Sequence, residues 1–372
     1  MKELNLKEIK MKFLIGSDIV PTECTERLFV EGDTEKLFGK INGLAKDMDR
    51  IIINLECALT DYDGAIMKFG PNLKATPAAV NGIKKFGVTD VALSNNHVFD
   101  FGIKGLRDTM AALDGAGIPY MGIGENDTDS RKPYFFEQGG KRICIINVCE
   151  HEYSYALPNR VGANPFNPFT TMIDIREAKK ECDYLIVLYH GGKEYCKYPS
   201  PRLHDLCRAM VYHGADVVLT QHSHCVGCYE EYMGGHIVYG QGNFNFVYPE
   251  LAERNPLWYT ALLVEVDIED KVSVKFHPIV CTKTGCDLAE GDEAKEIMDG
   301  FYARNEELKN GKWLDGWHAF CTDPEREYYH DKILNACETD RQKHGFAHYL
   351  DCEAHTDVWR ELYPTYNMTN EL

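Results

Sequence analysis

The feature that most constrains the fold is a series of short, unbroken apolar runs, each ended by a polar residue. IIIN (51–54), YLIVLY (184–189) and DVVLT (216–220) show no polar interruption. A strand with one solvated face alternates, whereas a continuous Ile/Val/Leu run is buried on both faces, as in a sheet covered by helices. Strands are predicted at 12–15, 50–55, 90–93, 142–148, 184–188, 216–219, 236–239, 260–266 and 272–276. Helical patterns lie between them. In 104–116, Leu106, Met110 and Leu113 fall at helical spacing, and Gly115, Gly117 and Pro119 close the pattern. In 201–213, Leu203, Leu206 and Met210 do the same. The last strands, YTALLVEVDI and KVSVKFHPIV, alternate more clearly and are expected to be antiparallel.

The character changes near residue 285. Beyond it the chain is rich in Glu, Lys, Tyr and His, with helical periodicity at 293–308 and 325–342. This predicts a core domain over 11–284 and a helical appendage over 285–372. The appendage carries Trp313, Trp317 and Trp359, three of the four tryptophans. They are expected to anchor its helices to the core, and a cap over a site is the alternative.

Charge and hydropathy exclude several roles. With 40 basic and 58 acidic residues the net charge is −18, which repels nucleic acid and anionic membranes. No window approaches the roughly 18 uncharged apolar residues of a membrane span. The apolar run near the N-terminus is interrupted by Lys12 and is too short for a signal peptide, so a cytoplasmic chain is expected. Fourteen cysteines are present, but Cys144, Cys149 and Cys281 sit in or beside apolar strand runs, where cysteine behaves as a small reduced hydrophobe. Cys225 and Cys228 form a lone CxxC and are expected to be structural.

Polar, metal-competent residues recur where the strands end: Asp18, Asn54 and Glu56, Asn95, Asn96 and His97, His190, then His222 and His224. Ligands of α/β sheets gather outside the carboxyl ends of strands. Any one of these residues has an ordinary role, such as Asp18 as a helix cap, but five strands delivering N/O donors to one rim is a pattern. In an extended segment His222 and His224 would project to one side. Asp, Glu, Asn and three His suit Mn, Fe, Zn or Co better than an all-oxygen Mg or Ca cage.

The motifs GSD, NLE, SNNHVFDFG, YHGG, QHSH and GNF, with KFGPNLKATP, resemble the calcineurin-like metallophosphoesterases. Within them the chain is most similar to the CapA branch associated with poly-γ-glutamate capsule synthesis. The resemblance covers about 11–280. It implies a four-layer α/β/β/α sandwich bearing two divalent transition metals (Mn, Fe or Zn) on one edge. By motif, Asp18 and His224 would bind the first metal, Glu56 would bridge, and Asn96, His190 and His222 would complete the second. His97 would be the general acid, and Asp100 would orient its ring. The superfamily's Asp-x-His is here Asp18-Ile19-Val20, so the first metal lacks a ligand and is expected to bind weakly; Glu23 and Cys24 are substitutes within reach in the sequence. Lys68, Lys74, Lys193 and Glu194 are the expected substrate contacts, since an acidic protein needs local cations to hold an anionic substrate.

These readings predict a metal-dependent hydrolase, phosphoesterase or amide hydrolase, acting on polyglutamate, a γ-glutamyl amide or a phosphoester, with capsule synthase subunits as partners. The alternative is a non-catalytic accessory or polymer-binding subunit of a poly-γ-glutamate synthase.

Overall fold

A computed structural model describes residues 10–323 and 328–364. Two large sheets lie face to face. The first runs, edge to edge, Cys286–Leu288, Val272–Cys281, Thr260–Ile268, Met11–Ile19, Arg50–Leu55, Asp90–Ala92 and Tyr120–Met121, with Asn243–Asn245 paired to the end of Met11–Ile19. The second runs Val226–Tyr232, Gly235–Gln241, Val217–Gln221, Tyr184–His190, Lys141–Cys149 and Tyr134–Gln138.

The continuous apolar runs explain this layering. Period-two alternation sends successive side chains to opposite faces. Phe13, Ile15 and Ile52 meet Ile145, Ile186, Leu188 and Leu219 between the sheets. Their neighbours Leu14, Ile51 and Ile53 face the other way, onto Phe29, Phe38, Ile83 and Leu106. On the far side, Val187 and Val218 pack on Ile175, Leu203 and Met210, from the helices Thr170–Lys179 and Pro201–Tyr212. The layers are therefore helix, sheet, sheet, helix, as expected.

The inner strands of both sheets pair in parallel, and Thr260–Ile268 pairs antiparallel with both Met11–Ile19 and Val272–Cys281. Register then fixes the rim. Asp18 lies opposite Asn54, and His190 lies between Cys149 and Gln221.

The helix Gly102–Ala116 matches its prediction closely, and 293–308 lies inside Gly291–Asn310. The pattern at 325–342 does not form one helix. Its first three residues lie outside the described residues, and the rest divides into Tyr328–Leu334 and the start of Asp340–Asp351. Most of 1–10, the segment before the first strand, also lies outside them. Five strands of the two large sheets escape the apolar-run criterion: Tyr120–Met121, Tyr134–Gln138, Val226–Tyr232, Asn243–Asn245 and Cys286–Leu288. They are edge, polar or very short segments.

Cys144 and Cys149 are buried thiols, as expected, and Cys281 is a half-buried one. Cys225 and Cys228 are fully buried. Trp313 joins the core on the outer face of the second sheet, whereas Trp317 and Trp359 pack in a separate cluster with Tyr329, Tyr349 and Val358. Among the described residues, no helix is long and apolar enough to cross a membrane.

Candidate metal centre

The carboxyl ends of the parallel strands converge on one rim. Asp18, Glu56 and Asn96 come from the first sheet; His190, His222 and His224 come from the second. All six are buried. His190 Nε2 meets Asn96 Oδ1 at 3.0 Å and passes Glu56 Oε1 at 3.2 Å. Such spacing is what donors have when each lies about 2.1 Å from one cation, which puts neighbouring donors about 3 Å apart. His190 Nδ1 and His224 Nδ1 each lie 3.8 Å from an oxygen of Asp18, and His222 Nδ1 lies 4.0 Å from Glu56 Oε1. Asp18, Glu56 and His190 form one compact donor group; Glu56, His222 and His224 form another. Glu56 belongs to both.

A shell of amides supports these donors. Asn54 donates to Asp18 Oδ1 at 2.7 Å, and Asn95 donates to Asn54 Oδ1 at 3.0 Å. Asn243 Oδ1 holds His224 Nδ1 at 2.8 Å. Such contacts fix the ring orientation of a ligating histidine.

The residues fit a pair of divalent cations. Both oxygens of Glu56 and Nδ1 of His222 are buried without a hydrogen-bond partner. Leaving such groups unsatisfied costs about 1–3 kcal/mol each, and a cation between them satisfies all three. The electrostatics agree. Burial pushes the Asp18 carboxyl up, and the nearby Glu56 adds to it. Burial acts on Glu56 the same way, but His190 and His222 outweigh it and hold its carboxyl well below the usual range. Burial lowers His222, yet Glu152, Glu56 and Glu194 raise it to about 10. Without a cation, a proton on His222 offsets the carboxylates around it.

The link between His222 and His224 is not the extended segment expected. The strand ends at Gln221, and the two histidines sit at φ +80° and +52°. This left-handed backbone is costly for non-glycine residues and persists where surrounding structure enforces it. The rings still converge, with centroids 5.8 Å apart.

His97 follows Asn96 on the same loop. Its Nδ1 lies 2.6 Å from Asp100 Oδ2, which leaves Nε2 for another partner. Asp100 is fully buried and also accepts the Leu73 N–H at 2.6 Å. Lys68, expected in contact with substrate, is instead drawn into this pair. Its side chain is 2% exposed, it is salt-bridged to Asp100, and Nζ lies 3.1 Å from His97 Nδ1. The reason is charge: a fully buried carboxylate needs a cation. Lys74 sits apart from the donors, paired with Asp63 at 2.5 Å. It lines a groove of about 830 Å³ whose other charged residues, Glu23, Glu26, Asp61 and Glu250, are acidic. Glu23 and Cys24 are exposed there and belong to neither donor group. Val20 is buried in the apolar cluster of the first sheet. Lys193 and Glu194 pair at 3.4 Å.

Glu152 was missed. It accepts from Asn96 Nδ2 at 2.8 Å and lies 3.6 Å from His222 Nε2. The strand-end rule that located the other residues, applied to 142–148, leads to Glu150, His151 and Glu152. The C-terminal helices also reach this rim: Glu353 binds His151, and Cys352 meets Glu152.

Residues 13–248 match the family model described as bacterial capsule synthesis protein PGA_cap. The chain is 29% identical over 246 residues to the capsule biosynthesis protein CapA of Bacillus anthracis, covering 64% of this chain and 60% of the relative. It is 27% identical over 235 residues to the PGA biosynthesis protein CapA of Bacillus subtilis, covering 62% and 61%. A probable polyglutamine synthesis accessory protein of Mycobacterium tuberculosis is 29% identical over 210 residues, covering 52% and 55%. The chain thus spans about three fifths of the length of the first two relatives. Among solved structures, a phosphatase from Mycoplasma pneumoniae aligns with TM-score 0.48 and 15% identity over 74% of this chain and 95% of that one. A hypothetical protein from Thermus thermophilus aligns with TM-score 0.44 and 14% identity, covering 72% and 98%. With the family match spanning well over half of the chain, including every donor of the rim, this protein belongs to the bacterial capsule synthesis protein PGA_cap family.

Proposed function

We propose that the chain is a metal-dependent hydrolase whose rim holds two divalent transition metals and cleaves a phosphoester or a γ-glutamyl amide in poly-γ-glutamate metabolism. The observation that carries this reading is the adjacency of Asn96, which meets His190, and His97, which is backed by Asp100. A pure binding scaffold has no need of an imidazole held by a buried carboxylate beside a ligand amide.

Asp18 and His224 would hold the first metal, Glu56 would bridge, and Asn96, His190 and His222 would hold the second. When bound, such cations supply Lewis acidity and lower the pKa of water. The protein's own groups do the rest. Asn54 and Asn243 keep Asp18 and His224 in place. Asp100 holds His97 by Nδ1, so that Nε2 delivers a proton to the leaving oxygen or nitrogen. Proton delivery of this kind contributes about 10²–10⁴-fold to rate. An anionic substrate answers the charge of the cations, which the strongly acidic surface does not provide. Glutamate polymers and capsule synthase subunits are the partners this reading names, in keeping with relatives named for capsule and PGA biosynthesis.

The test is elemental mass spectrometry on protein purified without chelator or nickel, with hydrolysis of bis-p-nitrophenyl phosphate and γ-glutamyl-p-nitroanilide. Activity on either probe, lost at least about a hundredfold in His97→Ala with metal content unchanged, is the expected result. Metal-loaded protein inert on both probes, or a fully active His97→Ala, would leave the accessory, polymer-binding role as the better account.

A further inference from the structure

The last described helices, Asp340–Asp351 and Glu353–Leu362, meet at Cys352, the N-terminal cap of the second. Cys352 is fully buried, and its thiol donates to Glu152 Oε1 at 3.3 Å. His355 follows three positions later, a spacing that puts both side chains on one helix face. Donor atoms of Glu152, Cys352 and His355 all lie within 4.8 Å of one another. His355 is buried, and its Nδ1 is held at 2.7 Å by the hydroxyl of Tyr329, itself fully buried. That contact orients the ring as second partners orient ligating histidines, and leaves Nε2 for another bond. Glu152 is fixed from its other side by Asn96.

We infer that Glu152, Cys352 and His355 form a third metal site, separate in chemistry from the two-metal rim and suited to zinc. One sulfur, one nitrogen and one oxygen donor match zinc's preference, whereas the rim offers only nitrogen and oxygen. Binding is a ligand exchange without redox change: the Cys352 S–H proton leaves to solvent as the zinc–sulfur bond forms. The thiolate and the Glu152 carboxylate then balance the ion's two charges, and Lys193 keeps its partner Glu194.

The site would tie two parts of the chain together. Glu152 lies within the family-matched span, residues 13–248, and Cys352 and His355 lie beyond it. Zinc here clamps the C-terminal helices onto the loop that carries Glu152, beside Asn96 and His222. It therefore closes one side of the rim.

Cobalt substitution tests this without reference to activity. Cobalt bound to a thiolate shows a near-ultraviolet charge-transfer band; cobalt bound only by nitrogen and oxygen does not. Full-length protein loaded with cobalt is expected to show the band, and Cys352→Ala is expected to abolish it while Cys24→Ala retains it. Zinc content should fall by about one ion per chain in Cys352→Ala and in His355→Ala. Glu56→Ala should lose rim metal and keep the band. Circular dichroism identifies any variant that fails to fold, and Glu152→Gln, which removes one charge with little change of volume, serves as the second variant: it should weaken the thiolate–cobalt site about tenfold or more. A wild-type protein without the band, or a band that survives Cys352→Ala or disappears with Cys24→Ala, overturns the proposal.

Discussion

Lys68 offers the sharpest test of how the rim is held together. By sequence it is a loop lysine placed to meet an anionic substrate. In the structure its side chain is 2% exposed and salt-bridged to Asp100, whose carboxylate is fully buried. Lys68→Met keeps most of the volume and removes the charge. Breaking a buried pair from one side costs about 3–5 kcal/mol, because the other charge is stranded. Asp100 retains two donors, His97 Nδ1 and the Leu73 N–H, both at 2.6 Å. The expected loss is therefore at the lower end, about 3 kcal/mol. At about 2.1 cal/mol/K per residue, a chain of 372 residues loses roughly 1.3 °C per kcal/mol, so the melting temperature should fall by roughly 4 °C. Guanidinium unfolding and calorimetry of the metal-free protein measure this directly. The double variant Lys68→Met/Asp100→Asn should recover at least about 1 kcal/mol relative to Lys68→Met, since no buried charge is left alone. Lys68→Met within about 0.5 kcal/mol of wild type, with only KM raised toward an anionic probe, would refute the reasoning and return Lys68 to the substrate.

Three other outcomes follow from the same structure. Manganese at about a hundred times its Kd should stabilise chelator-treated protein by about 2.7 kcal/mol per site, and Glu56→Ala should abolish the response; a thermal-shift titration reads both. Glu265 is burdened by burial, but His277, Lys12 and Lys275 outweigh it and lower its carboxyl to about 2. Its contribution is present above pH 4.5 and lost as pH falls toward 2, so the stability gap between wild type and Glu265→Gln should reach up to about 3 kcal/mol at pH 6 and shrink steadily below pH 4.5. Since the core cysteines Cys144, Cys149, Cys225 and Cys228 are thiols, dithiothreitol should leave the melting temperature of metal-free protein unchanged, and a fall would reveal a disulfide.

Much of this architecture was legible because the chemistry repeats. Unbroken Ile/Val/Leu runs announce strands buried on both faces, and the strands they predict lie in the two sheets that form the core. The same logic places Asp18, Glu56, Asn96, His190 and His222 where those runs stop. Side-chain partnerships across the fold were less legible. Nothing local marks Lys68 as the partner of Asp100, because that pairing depends on two loops meeting. The positive φ values of His222 and His224 are equally invisible, since a two-residue spacing reads as extended chain until the turn is seen. Glu152 and Cys352 are 200 positions apart, and only the packing of the last helices brings them together.

The rim's composition also explains why the two sheets must pack as they do. The anionic donors, Asp18 and Glu56, and the amide Asn96 all come from the first sheet. The imidazoles, His190, His222 and His224, all come from the second. Neither sheet alone presents a complete set of ligands. The gap between carboxylate and imidazole is therefore set by the apolar layer beneath it, where Ile15 and Ile52 face Ile186 and Leu219. Interiors are close-packed, so a change of one methylene group in that layer is felt at the rim. Metal geometry is in this sense a property of the core. The apolar Val20 belongs to the opposite, helix-facing cluster of the first sheet, so at this position packing takes the place that a donor would have beside a first metal. On the proposed reading that metal would keep Asp18, Glu56 and His224, with Asn243 steadying the ring. Three protein ligands with open positions would be the pattern of a catalytic cation and not of a closed structural one.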